Sequence, residues 1–329
     1  MPVALSLLDL ALIGRGETAA DALHDTVDIA RRAEHWGLRR VWYAEHHNMR
    51  SIASSATSVL IAHVAAHTST IRVGAGGIML PNHAPLTIAE QFGTLECLHP
   101  GRIDLGLGRA PGSDQATMWA LRRSPAAADR FPDDVLELQG YLTGETRVSG
   151  IHAVPGRGTD VPLFILGSSL FGAKLAAALG LPYSFASHFA PDALVEAVAT
   201  YRREFRPSQQ LAAPYVIAGV NVIAADDATQ ARVQLHEAKR RRAKRMVRGG
   251  QNLSDEELDV LLDSPAGRQV DQMMRYSAVG TPDETLAQLH EFAEHADADE
   301  LIVALAAPGR EDRRHSLDLL GAAHRALAA

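Results

Sequence analysis

The chain has 329 residues, 47% of them hydrophobic, 22% charged and 5% aromatic, with a formal net charge of −7. That balance fits an enzyme-sized soluble protein and argues against a nucleic-acid binder, which usually carries a basic face. Its single cysteine, Cys97, excludes an intramolecular disulfide and a cysteine-based metal site and fits a cytoplasmic, reducing setting.

Short apolar or β-branched runs predict strands near Ala4–Leu10, Arg40–Ala44, Ile71–Ala75, Ile103–Leu107, Pro162–Leu166, Tyr183–Ala186, Tyr215–Ile223 and Leu301–Leu305. Helical patterns lie between and after them: Ala19–Trp36, Ala56–His67, Leu86–Leu98, Asp133–Leu142, Gly172–Leu179, Asp192–Phe205, Asp227–Arg245, Pro282–Ala296 and Arg313–Leu327. Leu23, Val27, Ala30 and Ala33 give the first helix its buried stripe, and Gly37 ends it. Thr281 followed by Pro282 reads as a cap and a first-turn proline.

Strands alternating with helices in one uninterrupted series predict an α/β fold, a single (β/α)8 TIM barrel over residues 1–329, with the doubly wound sheet as the alternative. The intervals from Gly108 to Val161 and from Ala224 to Glu300 are too long for bare βα units. Residues 110–160 and 246–277 therefore read as excursions over the C-terminal mouth, the second containing Gly249-Gly250. The N-terminus has no basic leader and carries Asp9; the longest stretch free of Asp, Glu, Lys and Arg, Ser51 to Ile71, holds ten Ser, Thr or His in 21 residues. Neither a signal peptide nor a membrane span is expected.

In a barrel the chemistry sits at the C-terminal ends of the strands. Asp9 ends the first strand, where an acid in an apolar run must face the mouth or be paired. The second strand ends in Glu45-His46-His47-Asn48, a carboxylate and two imidazoles with acid–base capacity near neutral pH. A metal would need further ligands from elsewhere, and none is assigned. Gly74-Ala75-Gly76-Gly77 after the third strand admits close approach of a flat ligand, or is a simple turn. Gly106-Leu107-Gly108-Arg109 places an arginine where it can grip a phosphate or form a surface ion pair. Gly167-Ser168-Ser169, just before a helix at about Gly172, presents N–H groups and hydroxyls to an anion.

Together these strand ends resemble the bacterial luciferase-like monooxygenase family of flavin-dependent barrels. The resemblance rests on Leu5–Leu10, VWYAEHHN at Val41–Asn48, IRVGAGGIMLPNHAP at Ile71–Pro85, PGRIDLGLGRAPG at Pro100–Gly112, Leu166–Pro182 and VGTPDE at Val279–Glu284, in family order. It implies His46 as the acid–base residue with Glu45 beside it, and a cis peptide at Gly76-Gly77 under the flavin ring. It implies Arg109 and Ser169 on the flavin phosphate, with the Gly172 backbone closing the turn. Gly108 stands where the light-emitting subunit has a cysteine and Gly112 where it has a tyrosine, so aldehyde specificity and light emission are not carried over. The resemblance further implies an FMN-dependent monooxygenase that receives reduced FMN from a separate flavin reductase, oxidises a small-molecule substrate with O2 and packs as a homodimer through N-terminal helices such as 56–66.

Other readings compete. A deazaflavin (F420) hydride-transfer enzyme uses the same barrel, and a flavin-binding barrel without turnover is a non-enzymatic alternative. Gly14-Arg15-Gly16-Glu17-Thr18-Ala19 reproduces a dinucleotide fingerprint, but Glu45 lies 31 positions beyond Gly14 against an interval nearer ~20. Lys239–Arg248 carries seven Lys or Arg in ten residues without aromatic interleaving, which reads as a solvated helix end or a clamp over a flavin phosphate.

Overall fold

Strand alternation decides which side chains fill the barrel and which meet its helices. The computed structural model describes residues 3–14, 16–110, 114–247 and 253–328. The elements run β1 (Ala4–Asp9), α1 (Ala19–His35), β2 (Arg40–Tyr43), α2 (Thr57–Ala66), β3 (Arg72–Met79), a 3-10 turn (Leu80–Asn82), α3 (Pro85–Leu98) and β4 (Ile103–Gly108). Next come α4 (Gln115–Ala120), a second 3-10 segment (Pro125–Arg130), α5 (Phe131–Thr143), β5 (Leu163–Gly167), α6 (Leu170–Leu179), β6 (Tyr183–Phe185), α7 (Leu194–Glu204) and β7 (Val216–Ala224). The chain ends with α8 (Ala228–Met246), α9 (Asp255–Leu262), α10 (Pro265–Met273), β8 (Ser277–Gly280), α11 (Pro282–His295), β9 (Glu300–Leu305) and α12 (Arg310–Ala328).

All strand pairs are parallel; β1 pairs with β9, β9 with β7 and β7 with β6, which closes a barrel of eight staves, β1 to β7 and β9. This is the (β/α)8 barrel the alternation predicts. Leu8, Trp42, Phe164, Ile217 and Ile302 form an apolar layer inside it, while Leu5, Leu7, Val41 and Tyr43 pack outward against the helices. Thr18 and Thr281 cap α1 and α11 in capping boxes with Asp21 and Glu284.

Three features differ from the sequence reading. Strand β3 does not stop at Ala75 but runs through Gly76 and Gly77 to Met79, with a register shift against β4 between Ala75 and Ile78. Glycines carry no side chain, so alternation gives no sign of a strand there. Ser277–Gly280 forms a ninth strand on the upper half of β7, too short for periodicity to show. Finally, α8 belongs to the excursion. Ala231, Ala238, Ala243, Leu258, Val270 and Met274 gather with Ile223 and Ala307 into a small separate core, and α11 packs on β7, β8 and β9 as the barrel's helix. Gly249, Gly250 and Arg248 lie outside the described residues, as does Arg15 of the dinucleotide-like stretch.

The N-terminal end of the barrel is plugged by compensated charge. Arg40 donates to Asp104 at 2.7 Å and to Glu300 at 2.9 Å; Arg72 reaches Asp104 at 2.6 Å, and Trp42 Nε1 donates to the same carboxylate at 3.0 Å. Ser6 and Tyr215 donate to Glu300. Breaking such a buried network by removing one partner strands the opposite charges. Arg40→Leu is expected to lower the unfolding free energy by about 3–5 kcal/mol, read by urea denaturation at neutral pH; an unchanged midpoint would show the network to be dispensable.

Candidate active site

Glu45 is 1% exposed and organises the opposite end of the barrel. His83 Nε2 lies 2.9 Å from both of its carboxylate oxygens, His47 Nε2 lies 2.8 Å from Oε1, and the Met79 N–H donates to Oε2 at 2.9 Å. Burial raises the pKa of Glu45, but the hydrogen bonds and charge of His83, with those of His47 and Met79, outweigh it and hold the carboxyl below its ordinary range. Its own N–H donates to Gly77 O at 3.2 Å, so β2 and β3 stay paired past the last regular residue of β2. Glu45 therefore acts through the groups it holds. Trp42 and Ala44 face the interior, and His46 follows in the same alternation.

Above the interior apolar layer, inward positions of β3, β4 and β7 are glycines: Gly76, Gly106, Gly108 and Gly219. The Gly76–Gly77 peptide is cis, as the resemblance implies. A methyl group at Gly76 would stand 2.9 Å from Trp42 Cβ, and one at Gly77 only 2.6 Å from Gly106 O, so this shelf tolerates no side chain. Ala75, just before them, is fully buried in the core shared with the helices. Gly108 does not leave wholly open space, since Met79 Sδ lies 3.3 Å from where its Cβ would be. Gly112 is outside the described residues.

At one side of the shelf the structure brings Arg109 to the start of α6. Its guanidinium carbon sits 4.1 Å from the centre of the Phe171 ring, Nε donates to Ala128 O at 3.2 Å, and its acidic neighbour, the mostly exposed Asp129, is 3.8 Å away. Gly167 and Gly172 approach closely where β5 meets α6. Ser168 and Ser169 are at least partly exposed, and no side chain caps α6, leaving its first N–H groups and two hydroxyls turned to solvent beside Arg109. Uncapped helix N–H groups and a guanidinium both favour anions, phosphate among them.

Asp9 is not brought to this group. It accepts from the Ala11 N–H at 2.8 Å and borders a cavity of about 40 Å³ with Asp25 and Arg313 on the helix side of β1. Burial pushes its pKa up to about 6.

Sequence reasoning missed His83, His188 and Asn221. His188 follows β6 and its Nδ1 packs against Gly219, where a Cβ would collide with it; Asn221 donates to His188 O at 2.7 Å. Burial, the charge of Arg242 and His46 together push its pKa down to about 3, so the ring is neutral. The signal was available in Ser187-His188, two polar residues just beyond the strand end at Phe185.

A closed parallel barrel with a shelf of glycines and histidines at its C-terminal mouth has the architecture of a (β/α)8 barrel enzyme. The luciferase-like monooxygenase family model matches residues 5–299, and the chain belongs to that family. A luciferase-like monooxygenase of Escherichia coli is 46% identical over 320 residues, 96% of each chain. An N-acetyl-S-alkylcysteine monooxygenase of Bacillus subtilis is 42% identical over 189 residues, 56% of this chain and 57% of its own. The crystal structure of apo-MsnO8 superposes with a TM-score of 0.88 at 34% identity, covering 98% of both chains. These likenesses support an oxidoreductase of the monooxygenase type. Among the described residues no helix is long and apolar enough to cross a membrane, and no group of three or more His, Cys, Asp or Glu is placed to hold a metal.

The depressed Glu45 pKa has a stability consequence. A carboxyl with a lowered folded pKa contributes stability above its unfolded pKa, and that contribution is lost as pH falls through the folded value. Glu45→Gln is therefore expected to be less stable than the parent at pH 7, by about 1–3 kcal/mol. The gap should close in acid below the ordinary carboxylate range. Parallel thermal melts from pH 7 to 3 check this; a gap independent of pH would contradict it.

Proposed function

We propose that the protein is an FMN-dependent monooxygenase that accepts reduced FMN from a separate flavin reductase and uses O2 to oxidise a small organic substrate. One observation carries the proposal: Arg109 is stacked on Phe171 beside the uncapped start of α6, at the edge of the Gly76-Gly77 shelf. Arg109, Ser168, Ser169 and the first N–H groups of α6, with Gly167 and Gly172 permitting their approach, would hold the phosphate. The shelf of Gly76, Gly77, Gly106 and Gly108, with the Ala75 backbone, would underlie the ring. Bound reduced flavin supplies the electrons and the O2 chemistry; the chain supplies the rest.

Within that frame His46 holds or moves the proton at the reacting centre, and Glu45 positions the segment that carries it. His83 and His47 keep Glu45 ionised without entering the apolar interior themselves. The Leu8, Trp42 and Phe164 layer beneath keeps water out and so strengthens each polar contact above it. The relative that acts on N-acetyl-S-alkylcysteine makes thioethers the first substrates to try. A homodimer through α2 and α3 fits the exposed Val59 and Leu98 on those helices.

Two measurements test this reading. Equilibrium titration with oxidised and reduced FMN, and with F420, is expected to show flavin binding that falls at least about tenfold in Arg109→Ala. Tighter binding of F420 than of reduced FMN would move the enzyme to hydride transfer, and no binding of either would end the proposal. Single-turnover oxidation in His46→Ala should slow about 10²–10⁴-fold with FMN affinity intact. A parental rate would remove His46 from the chemistry, and no turnover by either protein would favour a barrel that only stores flavin.

A further inference from the structure

Tyr183 stands behind the turn that joins β5 to α6. It pairs with Ile165 of β5 and shares that residue's outward face, so its ring lies between the barrel wall and the helices. The side chain is fully buried, yet its hydroxyl reaches back to the turn and donates to Ser169 O at 3.0 Å. The ring closes on the same turn. A methyl at Gly172 would stand 3.2 Å from Tyr183 Cε2, and one at Gly167 3.5 Å from the hydroxyl. Burial pushes the tyrosine's pKa well up, so at neutral pH the hydroxyl keeps the proton it donates.

A second carbonyl of the turn is held from the same side, since the Ala186 N–H donates to Gly167 O at 2.9 Å. In a trans peptide the C=O and the following N–H point to opposite sides of the chain. Holding Gly167 O toward β6 therefore turns the Ser168 N–H toward β4, which flanks β5 on its other side and is followed by Arg109. Holding Ser169 O against Tyr183 likewise turns the Leu170 N–H away from the tyrosine. Among the described residues neither N–H meets a protein acceptor, and Ser169 makes no side-chain cap on α6. The turn thus takes its orientation from β6.

We propose that Tyr183 is a positioning residue for the phosphate of the cofactor: its hydroxyl fixes the Ser169–Leu170 peptide so that the Leu170 N–H faces the phosphate, without touching the ligand itself. This deepens the FMN reading and rests on it. Without the hydroxyl the ring still packs, but the peptide has to be ordered when the ligand binds, and that ordering costs affinity. The effect is confined to the phosphate. The Gly76-Gly77 shelf that would underlie the flavin ring is on β3, with β4 and β5 between it and β6.

Riboflavin, the same ring without the phosphate, separates this role from a structural one. FMN and riboflavin are titrated by fluorescence into the parent protein, Tyr183→Phe and Tyr201→Phe. Tyr201 is the control: its ring lies 5.5 Å from that of Tyr183, and its buried hydroxyl donates to Leu181 O and accepts from the Tyr215 N–H, away from the turn. The parent is expected to bind FMN at least about tenfold more tightly than riboflavin. Tyr183→Phe should weaken FMN about three- to tenfold, the loss of one hydrogen bond, and leave riboflavin unchanged. Tyr201→Phe should keep the parental ratio of the two affinities even where it melts lower. The proposal is overturned if Tyr183→Phe keeps that ratio, if it weakens both flavins equally, which would show a structural role alone, or if Tyr201→Phe narrows the ratio as much. A parent that binds FMN no better than riboflavin would defeat the phosphate anchor and the tyrosine's part in it together. A parent that prefers FMN beside an equally selective Tyr183→Phe would defeat the tyrosine alone.

Discussion

The mouth of this barrel depends on one buried carboxylate. Glu45 sits where β2 leaves its regular ladder, and it gathers His47 from its own strand end, His83 from beyond the 3-10 turn and the Met79 N–H from the end of β3. A carboxylate removed from water is tolerable only with such partners. Each partner lies on the segment that carries either His46 or the Gly76-Gly77 shelf, so satisfying Glu45 fixes both. Because adjacent residues of an extended segment point to opposite sides, holding Glu45 among His47, His83 and Met79 leaves His46 to face the cavity. The proposed acid–base residue and the residue that positions it are neighbours for this geometric reason.

The two ends of the barrel solve opposite problems. At the N-terminal end Arg40 and Arg72 are matched by Asp104 and Glu300, which fills the lumen with large side chains whose charges cancel. At the other end side chains are withheld: Gly76, Gly106, Gly108 and Gly219 occupy inward positions that a bulky residue would close. Glycine in a strand weakens it through lost packing and added unfolded-state freedom. The plugged end and the apolar layer around Trp42 supply the rigidity on which a hollow mouth can rest.

Much of this was legible in the sequence. The alternation of strands and helices pointed to the barrel, and the polar strand ends Glu45-His46-His47 and Gly108-Arg109 stood out because charge in or after an apolar run needs a reason. What stayed hidden depended on partners distant in sequence. Asp9 satisfies the same pattern as Glu45, yet its alternation with Leu8 turns it to the helix side, beside Asp25 and Arg313. His188 gains meaning only when Gly219, 31 positions later, leaves space for its ring. The pattern of α8 suits a barrel helix equally well; only the small core it shares with α9 and α10 places it over the mouth.

The distribution of charge follows from these placements and bears on function more than the total does. The chain carries −7 overall, but at ionic strengths near 0.15 M exposed charges are screened beyond roughly 8 Å, and buried ones much less. The acidic excess on the surface therefore reaches the mouth weakly. There Arg109 has, among the described residues, one exposed acidic neighbour, Asp129 at 3.8 Å, while the low-dielectric floor formed by Leu8, Trp42 and Phe164 focuses the field of charges above it. The barrel thus neutralises Arg40 and Arg72 at its closed end and leaves Arg109 with only a screened, exposed partner, among the described residues, at its open end. On the proposed reading, the phosphate of the cofactor would supply the anion that Arg109 lacks.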